Sequence, residues 1–223
     1  RRCVRKAAGD DAGVAPSEIV GLVSFTLGST GEVEGARAVG AGDLTFFSRI
    51  NYGGGAAVGT ILQAVMAVAT GQANTVVCWR AMNGRSGQRM GQGVSGNIIS
   101  SDLIHWSWYM TYGMLTPGSW IGLTANKYMH DYGVSREDLG RIAISKRNYA
   151  LQNPRAFGYG KPLDMPTYLA AKMISEPRCL YDFCQETDGG CAILITSVER
   201  ARDLRQKPAI IRGITQASTR GQE

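Results

Sequence analysis

The sequence predicts an α/β fold in which a mostly parallel, mixed sheet is covered by helices. Three short segments, residues 19–25, 44–50 and 75–79, have the largely apolar character of strands that are buried on both faces. Segments with helical spacing lie between them. Because parallel neighbours need a long crossover connection, usually a helix, this alternation is typical of a parallel sheet.

The N-terminal part contains a helix, the first strand and a connection. Residues 3–12 have helical character, and Pro16 and Ser17 break the chain before the strand at residues 19–25. Residues 28–42 are rich in glycine. We interpret them as the connection to the second strand.

The second strand leads to a helix at residues 57–70, and Gly71 is its stop signal. Apolar residues keep helical spacing along it, namely Val58, Ile61, Leu62, Val65, Met66 and Ala69. The third strand follows at residues 75–79. Much later in the chain, residues 191–196 are predicted to return to the sheet.

An inserted, mainly helical subdomain is predicted at residues 82–166. The composition changes there to Gly, Ser, Gln and Arg, and a helix at 120–132 follows. A second helix starts at Ser135, where Asp138 completes a capping-box pattern. The remaining residues, 1–81 and 167–223, are predicted to form one discontinuous α/β domain.

We expect the chain to be a segment of a longer protein. Its 223 residues do not begin with Met, and the first of them have the pattern of the middle of a basic helix. A strand-like segment at residues 209–214 precedes an end that has no further element.

Composition favours a soluble, cytoplasmic protein without a membrane span or a metal. The longest apolar segment is too short to cross a bilayer, and no secretory signal is visible. The cysteine spacing matches neither a disulfide framework nor a zinc ribbon, so we expect reduced thiols that are mostly buried. The five cysteines are Cys3, Cys78, Cys179, Cys184 and Cys191.

The net charge of +6 is spread along the chain and is not interleaved with aromatic residues, which disfavours nucleic-acid binding. No acidic residue occurs between Asp43 and Asp102. Four arginines occur in that interval: Arg49, Arg80, Arg85 and Arg89. They favour an anionic, phosphate-bearing ligand, although each alone is equally compatible with an ordinary surface position.

The motifs typical of other enzyme classes are weak. Residues 91–96 match a dinucleotide fingerprint, but no strand precedes them. His105 lies in an aromatic segment and is interpreted as a packed side chain, and His130 as a surface group near a helix end. With only these two histidines, a metal site is disfavoured.

The most informative segment is the glycine-rich elbow at residues 51–57, between the second strand and the following helix. Such elbows present a nucleophile or bind an anion at a helix N-terminus. No residue between Ile50 and Ala57 is Cys or Ser. The nucleophile that such an elbow usually carries is therefore absent.

Four sequence blocks in a fixed order carry a family resemblance. They are the elbow and the segments at residues 148–156, 174–182 and 188–192. In order and spacing they resemble the thiolase superfamily, and within it the sterol-carrier, lipid-transfer branch, which includes aldolases that degrade steroid side chains. The resemblance implies a thiolase-like fold and its N-terminal half without the first strand, with residues 82–166 as the loop domain.

The resemblance also implies a substrate and partners. The substrate would be an acyl-CoA thioester, with no further cofactor. A homodimer is implied, with residues 44–50 near the interface, and in the steroid-degrading relatives an OB-fold partner that binds acyl-CoA. The C-terminal half, which supplies the oxyanion-hole His and the acid/base Cys in the family, would lie beyond Glu223.

Tyr52 occupies the position of the family's nucleophilic Cys when Gly55 is aligned with the last Gly of the family motif. A shift of one residue offers only Asn51 or Gly53. A phenol with a pKa of about 10 is a poor acyl acceptor, and Cys78 belongs to the next strand. Covalent thiolysis is therefore disfavoured.

Three functions stay open. The favoured one is retro-aldol cleavage of a β-hydroxyacyl-CoA derived from a steroid or lipid side chain, because it needs a base and an oxyanion site but no nucleophile. The alternatives are a thiolase-type acyl-CoA acetyltransferase and a non-catalytic acyl-CoA or sterol-binding subunit for lipid transfer.

The candidate site residues lie in the elbow and in an aromatic segment. Tyr52 is the candidate catalytic group, or else fills the space of the absent nucleophile. The glycines either expose backbone N–H groups to a thioester or only permit tight packing. The tryptophans face a sterol-like tail or lie in the core. The candidate substrate-binding residues are Asn51, Gly53, Gly54, Gly55, Trp106 and Trp108.

Overall fold

The computed structural model describes residues 2–25, 30–50, 57–87, 89 and 107–217, and the side chains from residue 7 onward within them. The described residues before 88 and after 186 form one compact unit. Those at 107–186, together with Arg89, form a second. Each unit has a hydrophobic core of its own.

The first unit is built on a mixed, four-stranded sheet. The strands of the described chain are β1 (Gly21–Phe25), β2 (Phe46–Ile50), β3 (Thr75–Asn83), β4 (Met173–Ser175), β5 (Arg178–Cys179) and β6 (Asp188–Thr196). In space the large sheet has the order β2-β1-β3-β6. Strand β1 is parallel to β2 and β3, whereas β6 is antiparallel to β3. The prediction of a mostly parallel α/β sheet is confirmed.

Helices cover both faces of this sheet. The α-helices are α1 (Arg2–Ala12), α2 (Glu32–Val39), α3 (Ala57–Ala69), α4 (Pro117–Tyr132), α5 (Arg136–Leu151), α6 (Met165–Leu169) and α7 (Val198–Ala201). Side chains alternate along a strand, so Leu22 packs with Ala36 of α2 whereas Val23 packs with Ala64 of α3. Within the described residues, no helix is long and apolar enough to cross a membrane.

Helix α3 faces the sheet through its small residues. Gly59, Thr60, Ala64 and Ala67 are buried, whereas Val58 is 58% exposed. The apolar spacing predicts the helix but not its buried face, because a face of small side chains lets the helix axis lie close to the strands.

The glycine-rich connection contains helix α2, which the sequence analysis does not predict. The N–H of Gly31 donates to Glu34 Oε2 at 3.2 Å and so closes the first turn. Gly40 ends the helix in the left-handed conformation, with φ of 73°. Two glycines of the connection, Gly31 and Gly40, are thus the caps of a helix.

The strand-like segment at residues 209–214 forms neither a helix nor a strand. Ile210 and Ile211 are exposed. The prediction from their apolar, β-branched character is wrong, because the segment has no strand partner among the described residues.

The core of the second unit is formed around Tyr168, which is fully buried between α5 and the β4–β5 hairpin together with Leu163 and Cys179. A Cβ on Gly140 of α5 would lie 2.8 Å from Tyr168 Cδ1, so this glycine permits the close contact. The described residues from 167 to 186 therefore lie in the second unit, whereas the sequence analysis assigns them to the α/β domain.

The apolar stripes of α4 and α5 are largely exposed within this unit. The buried residues of the two helices are Gly122 and Gly140. Five members of the stripes are at least half exposed, namely Ile121, Tyr128, Tyr132, Ile142 and Tyr149. Helical spacing thus identifies the helices and their apolar faces, but only part of those faces is buried, as at Leu139 and Ala143, which pack against the core around Tyr168.

The predicted capping box of α5 is present and provides a stability test. Asp138 N donates to Ser135 Oγ, and Ser135 N donates to Asp138 Oδ2 at 2.9 Å. We expect Ser135→Ala to lower the free energy of unfolding by about 1 kcal/mol, because an N-terminal N–H loses its acceptor. Ser145→Ala, at an exposed position in the same helix, is the control and should cause no loss. Equal denaturation curves for the two variants would contradict the assignment.

Candidate functional site

The strands that border the elbow end in the same direction. Strands β1, β2 and β3 are mutually aligned in parallel, and their carboxyl ends are Phe25, Ile50 and Asn83. Ligands of open α/β sheets bind at the carboxyl ends of the strands. The elbow, residues 51–56, joins Ile50 to Ala57, the first residue of α3. This edge of the sheet is the candidate active site.

Most of the site residues that the sequence predicts lie outside the described residues. They are Asn51, Tyr52, Gly53, Gly54, Gly55 and Trp106. Their roles stay predictions. Trp108 is described; it lies in a helical turn of the second unit and its side chain is 71% exposed, so it is not a core residue.

A buried carboxylate that the sequence analysis does not identify lies beside this edge. Glu32 Oε1 accepts a hydrogen bond from Ser24 Oγ of β1. It is also 3.1 Å from Arg49 Nε and 3.0 Å from Arg49 Nη2 of β2. Arg49, one of the four arginines of the acid-free interval, is therefore engaged in an ion pair. The one sequence signal for this ion pair is the position of Glu32 in the first turn of α2. Because that helix is not predicted, the signal goes unrecognised.

The other arginines of that interval have separate environments. Arg80 Nη1 donates to the carbonyl oxygen of Phe25 at 2.9 Å, and its guanidinium lies 4.9 Å from the centre of the Phe25 ring. The backbone N–H of Arg85 donates to Asp188 Oδ1, and Arg89 Nε lies 3.7 Å from Glu186 Oε2 in the second unit. The four do not form one cluster.

Asp188 has a structural role at the start of β6. Its Oδ1 accepts the backbone N–H groups of Arg85 and Ser86 at 2.9 and 3.0 Å. These hydrogen bonds, that of Ser86 first, lower the pKa of the carboxyl group. The carboxylate thus holds the turn after β3 against the start of β6.

Cys78 is enclosed beneath α3 and is unsuited to act as a nucleophile. Its side chain is buried, and Sγ lies 3.3 Å from the carbonyl oxygen of Thr60. Burial raises the pKa of this thiol to about 12. Since the thiolate is the reactive form, the sequence-based exclusion of Cys78 agrees with its environment.

The remaining described cysteines divide between core and surface. Cys179 is buried, whereas Cys184 and Cys191 are exposed, and all are free thiols. Two of the four cysteines whose side chains are described are therefore buried, which is fewer than the expected majority. No group of three or more potential metal ligands occurs in the described part of the chain. His130 is exposed at the end of α4, with Nδ1 3.2 Å from Asp131 Oδ1.

The second unit has an open cleft of about 980 Å³ between α4, α5 and the segments at 157–163 and 178–185. Its walls are largely apolar and aromatic. Four cations line it, namely Lys146, Arg147, Lys161 and Arg178, whereas Asp182 is the one carboxylate among the lining residues. The cleft is therefore suited to a ligand that has both an apolar part and an anionic part.

Aromatic rings support three of these cations. Lys161 Nζ lies 4.1 Å from the centre of the Phe157 ring. The guanidinium carbons of Arg147 and Arg178 lie 5.6 and 4.7 Å from the rings of Tyr181 and Phe183. These contacts hold the charges at the walls without neutralising them. No sequence motif indicates the set, because its members are distant in sequence.

Asp182 is occupied by structural hydrogen bonds. The Tyr168 hydroxyl lies 2.8 and 3.0 Å from its two carboxylate oxygens, and the backbone N–H of Cys179 donates to Oδ2 at 2.7 Å. Burial, then the bond to Asp182, raises the pKa of Tyr168 above its ordinary value. Asp182, the one acid among the lining residues, thus links Tyr168 to Cys179. The four cations are the dominant charges of the cleft.

Thiol accessibility tests this division of the cysteines. We expect iodoacetamide at pH 8 to modify Cys184 and Cys191 in the folded protein well before Cys78, since a pKa of about 12 leaves about one Cys78 thiol in ten thousand ionised. Peptide mass spectrometry would follow the reaction. Protein unfolded in guanidinium is the control, and there all thiols should react. Early modification of Cys78 in the folded protein would contradict its enclosure.

Comparison with known proteins yields close relatives, although no family model matches the chain. It is 47% identical over 214 residues to a steroid side-chain-cleaving aldolase of Thermomonospora curvata, covering 95% of this chain and 55% of that protein. It is 44% identical to the 17-hydroxy-3-oxo-4-pregnene-20-carboxyl-CoA lyase of Mycobacterium tuberculosis, covering 92% and 54%. The chain spans about half the length of these curated relatives.

Solved structures show the same relationship. The Ltp2-ChsH2(DUF35) aldolase matches with a TM-score of 0.83 and 46% identity, over 97% of this chain and 55% of the other. A monomeric SCP2-thiolase like protein type 1 from Mycobacterium smegmatis matches with a TM-score of 0.56 and 20% identity, over 85% and 39%, and shows the fold alone. The chain is therefore thiolase-like in fold and a homologue of thiolase-like proteins, steroid side-chain-cleaving aldolases among them.

Proposed function

We propose that the full-length protein cleaves a carbon–carbon bond of a β-hydroxyacyl-CoA by a retro-aldol reaction. The observation that carries this proposal is the near-half identity, along almost the whole chain, with a relative named for steroid side-chain cleavage. A second relative of similar identity is named as a lyase of a steroid carboxyl-CoA. The proposed substrate class is accordingly a CoA thioester with a steroid or similar lipid side chain, with no further cofactor.

The reaction needs no covalent attachment to the protein. A base removes the proton of the β-hydroxyl group, and the electron pair of the O–H bond forms a carbonyl. The bond between Cα and Cβ breaks, and its electrons form the enolate of the shortened thioester. Protonation of the enolate at Cα gives the shorter acyl-CoA. The protein must therefore supply a base, an acid and donors to the enolate oxygen.

The elbow suits this chemistry better than it suits acyl transfer. It contains no thiol or serine hydroxyl, and the nearest cysteine along the chain, Cys78, is enclosed in the core. We propose Gly53, Gly54 and Gly55 as backbone donors to the enolate oxygen. Tyr52 and Asn51 are proposed to hydrogen-bond the substrate beside them. Trp106 and Trp108 are proposed to contact its apolar tail.

The cleft of the second unit is proposed to bind the phosphate-bearing part of CoA. Coenzyme A combines an adenine ring with several phosphate charges, and the cleft combines aromatic walls with an excess of cations. Lys146 and Lys161 offer point charges, and Arg147 and Arg178 offer planar donors that suit phosphate oxygens. The acid-free interval of the sequence suggested a phosphate-bearing ligand, and the cleft supplies a different set of cations for it.

Two protein partners are part of the proposal. Strand β2 is an edge strand of the described sheet, and its Phe47 is 57% exposed, which favours pairing with a second copy at this edge. The similar solved structure carries the names Ltp2 and ChsH2(DUF35) together. We propose that the full-length protein likewise acts with a partner subunit, of the OB-fold type that binds acyl-CoA.

The reaction class is tested with the full-length protein and its partner. Incubation with a β-hydroxyacyl-CoA of steroid type should release a ketone or aldehyde and a shorter acyl-CoA in equal amounts, without added free CoA. Chromatography with mass spectrometry would measure both products. A requirement for free CoA, or a stable acyl adduct on a side chain, would instead indicate acyl transfer. Tight binding without turnover of any such substrate would indicate a binding subunit.

The proposed CoA cleft has its own test. Lys161→Glu should raise the Kd for acyl-CoA roughly tenfold at low salt, because an attractive charge becomes a repulsive one. The effect should shrink as the salt concentration rises. Lys172→Glu, an exposed position of the same unit outside the cleft, is the control. Isothermal titration calorimetry would measure Kd, and equal values for the two variants would exclude the cleft.

A further inference from the structure

The strands before the elbow are joined by a buried polar network at their carboxyl ends. Ser24 of β1 and Arg49 of β2 are partners in the parallel register. Both donate to the same carboxylate oxygen, Oε1 of Glu32, and Arg49 Nη2 also donates to the carbonyl oxygen of Thr30 at 2.7 Å. Glu32 is only 9% exposed and Ser24 only 4%. One carboxylate therefore links β1, β2 and the start of α2.

Strand β2 is held from both faces just before the elbow. Arg49 is fixed by Glu32 on the α2 side. Successive side chains of a strand point to opposite faces, so Ile50 points toward α3. A Cβ added to Gly59 of α3 would lie 3.0 Å from Ile50 Cδ1, which shows how closely the two elements pack. The last two residues before the elbow are thus fixed in position and direction.

Core stability alone does not explain the polar side of this arrangement. A buried ion pair costs desolvation energy, and a well-packed apolar pair of similar volume is often at least as stabilising. What the carboxylate adds is direction, because hydrogen bonds to one oxygen specify where Ser24 and Arg49 must lie. The opposite side, between Ile50 and α3, is apolar and close-packed.

We infer that Glu32 and Arg49 are positioning residues: they fix the carboxyl ends of β1 and β2, from which the chain continues into the elbow, and so affect the rate of the reaction proposed there. The inference rests on the proposed function of the elbow, but its structural part is independent of the reaction. Neither side chain needs to touch the substrate. A displacement of about 1 Å at a reacting centre can cost about a hundredfold in rate. A network that only fixes the ends of β1 and β2 is therefore enough to affect the rate.

The test compares Glu32→Gln with Glu34→Gln in the full-length protein with its partner. Glu34 lies in the same helix and accepts the N–H of Gly31, outside the network. Glu32→Gln should lower kcat about 10- to 100-fold, with the Kd for acyl-CoA changed by less than about twofold. Hydrogen–deuterium exchange of peptides covering residues 51–56 should rise in Glu32→Gln only.

Two substitutions at Arg49, one that keeps the charge and one that removes it, separate the positioning role from an effect on stability. Arg49→Lys keeps the charge and should retain more kcat than Arg49→Met, which keeps only the apolar stem. Ser24→Ala removes one of the donors to Glu32 and should have a smaller effect than Glu32→Gln. These variants keep the test decisive if Glu32→Gln does not fold, and all rates are compared well below the melting temperature of each variant.

The outcomes distinguish this inference from the proposed function. If the wild-type protein performs no retro-aldol cleavage, the proposed reaction fails, while faster exchange at residues 51–56 in Glu32→Gln alone would still support the positioning role. If the wild-type protein cleaves the substrate and Glu32→Gln matches Glu34→Gln in kcat and exchange, the inference is overturned. A loss of kcat that follows the loss of thermal stability in every variant would also overturn it.

Discussion

The parallel pairing of β1 with β2 is the constraint on which the candidate site depends. The register runs from Gly21 opposite Phe46 to Phe25 opposite Ile50, so the two strands end at the same level. Parallel neighbours require a crossover, and α2 provides it. Its first residue, Glu32, returns to the ends of both strands and accepts hydrogen bonds from each of them. The strand register and the hydrogen bonds to Glu32 thus both fix the carboxyl ends of β1 and β2.

The packing of α3 on the sheet limits the chemistry that is possible at the elbow, because it encloses the nearest cysteine along the chain, Cys78. Small residues on the buried face let α3 lie close to the sheet, and this contact places Gly59 close to Ile50 at the end of β2. The same close contact encloses Cys78 and raises its pKa, which removes its thiol from nucleophilic chemistry. An elbow sequence without Cys or Ser, in a chain whose nearest cysteine along the sequence is enclosed and protonated, favours a reaction that forms no acyl-protein bond.

The sequence predicts the elements that depend on local spacing of apolar residues. It does not predict the features that depend on small residues or on contacts between distant parts of the chain. Strands β1 to β3, the helix after the elbow and the Ser135 capping box follow from periodicity and caps. Helix α2 was missed because its capping glycines resemble those of a loop, and the buried face of α3 was misjudged because alanine and glycine carry little hydrophobic signal. The cations of the cleft and their aromatic neighbours come together only through tertiary packing, so no linear motif could indicate them. The family resemblance, carried by four separated blocks, succeeded because it depends on their order.

The environments of the arginines explain why substrate charge and substrate reaction are assigned to different residues. At the edge of the sheet, Arg49 pairs with Glu32, and Arg80 donates to the Phe25 carbonyl, so the positive charge there is largely committed to the fold. In the cleft, Arg147 and Arg178 stack on aromatic rings, and each also donates one N–H to a backbone carbonyl, that of Lys161 and that of Asp182 respectively. Stacking engages the face of a guanidinium, whereas its N–H groups lie in the plane, so stacking does not block in-plane donation to phosphate oxygens. An enolate oxygen carries a charge that exists only during the reaction, and fixed backbone N–H groups stabilise it without attracting the permanent phosphate charges of the same substrate. The proposed division, with cations for the phosphates and the elbow for the enolate, follows from the excess of cations that line the cleft and from the transient charge of the enolate.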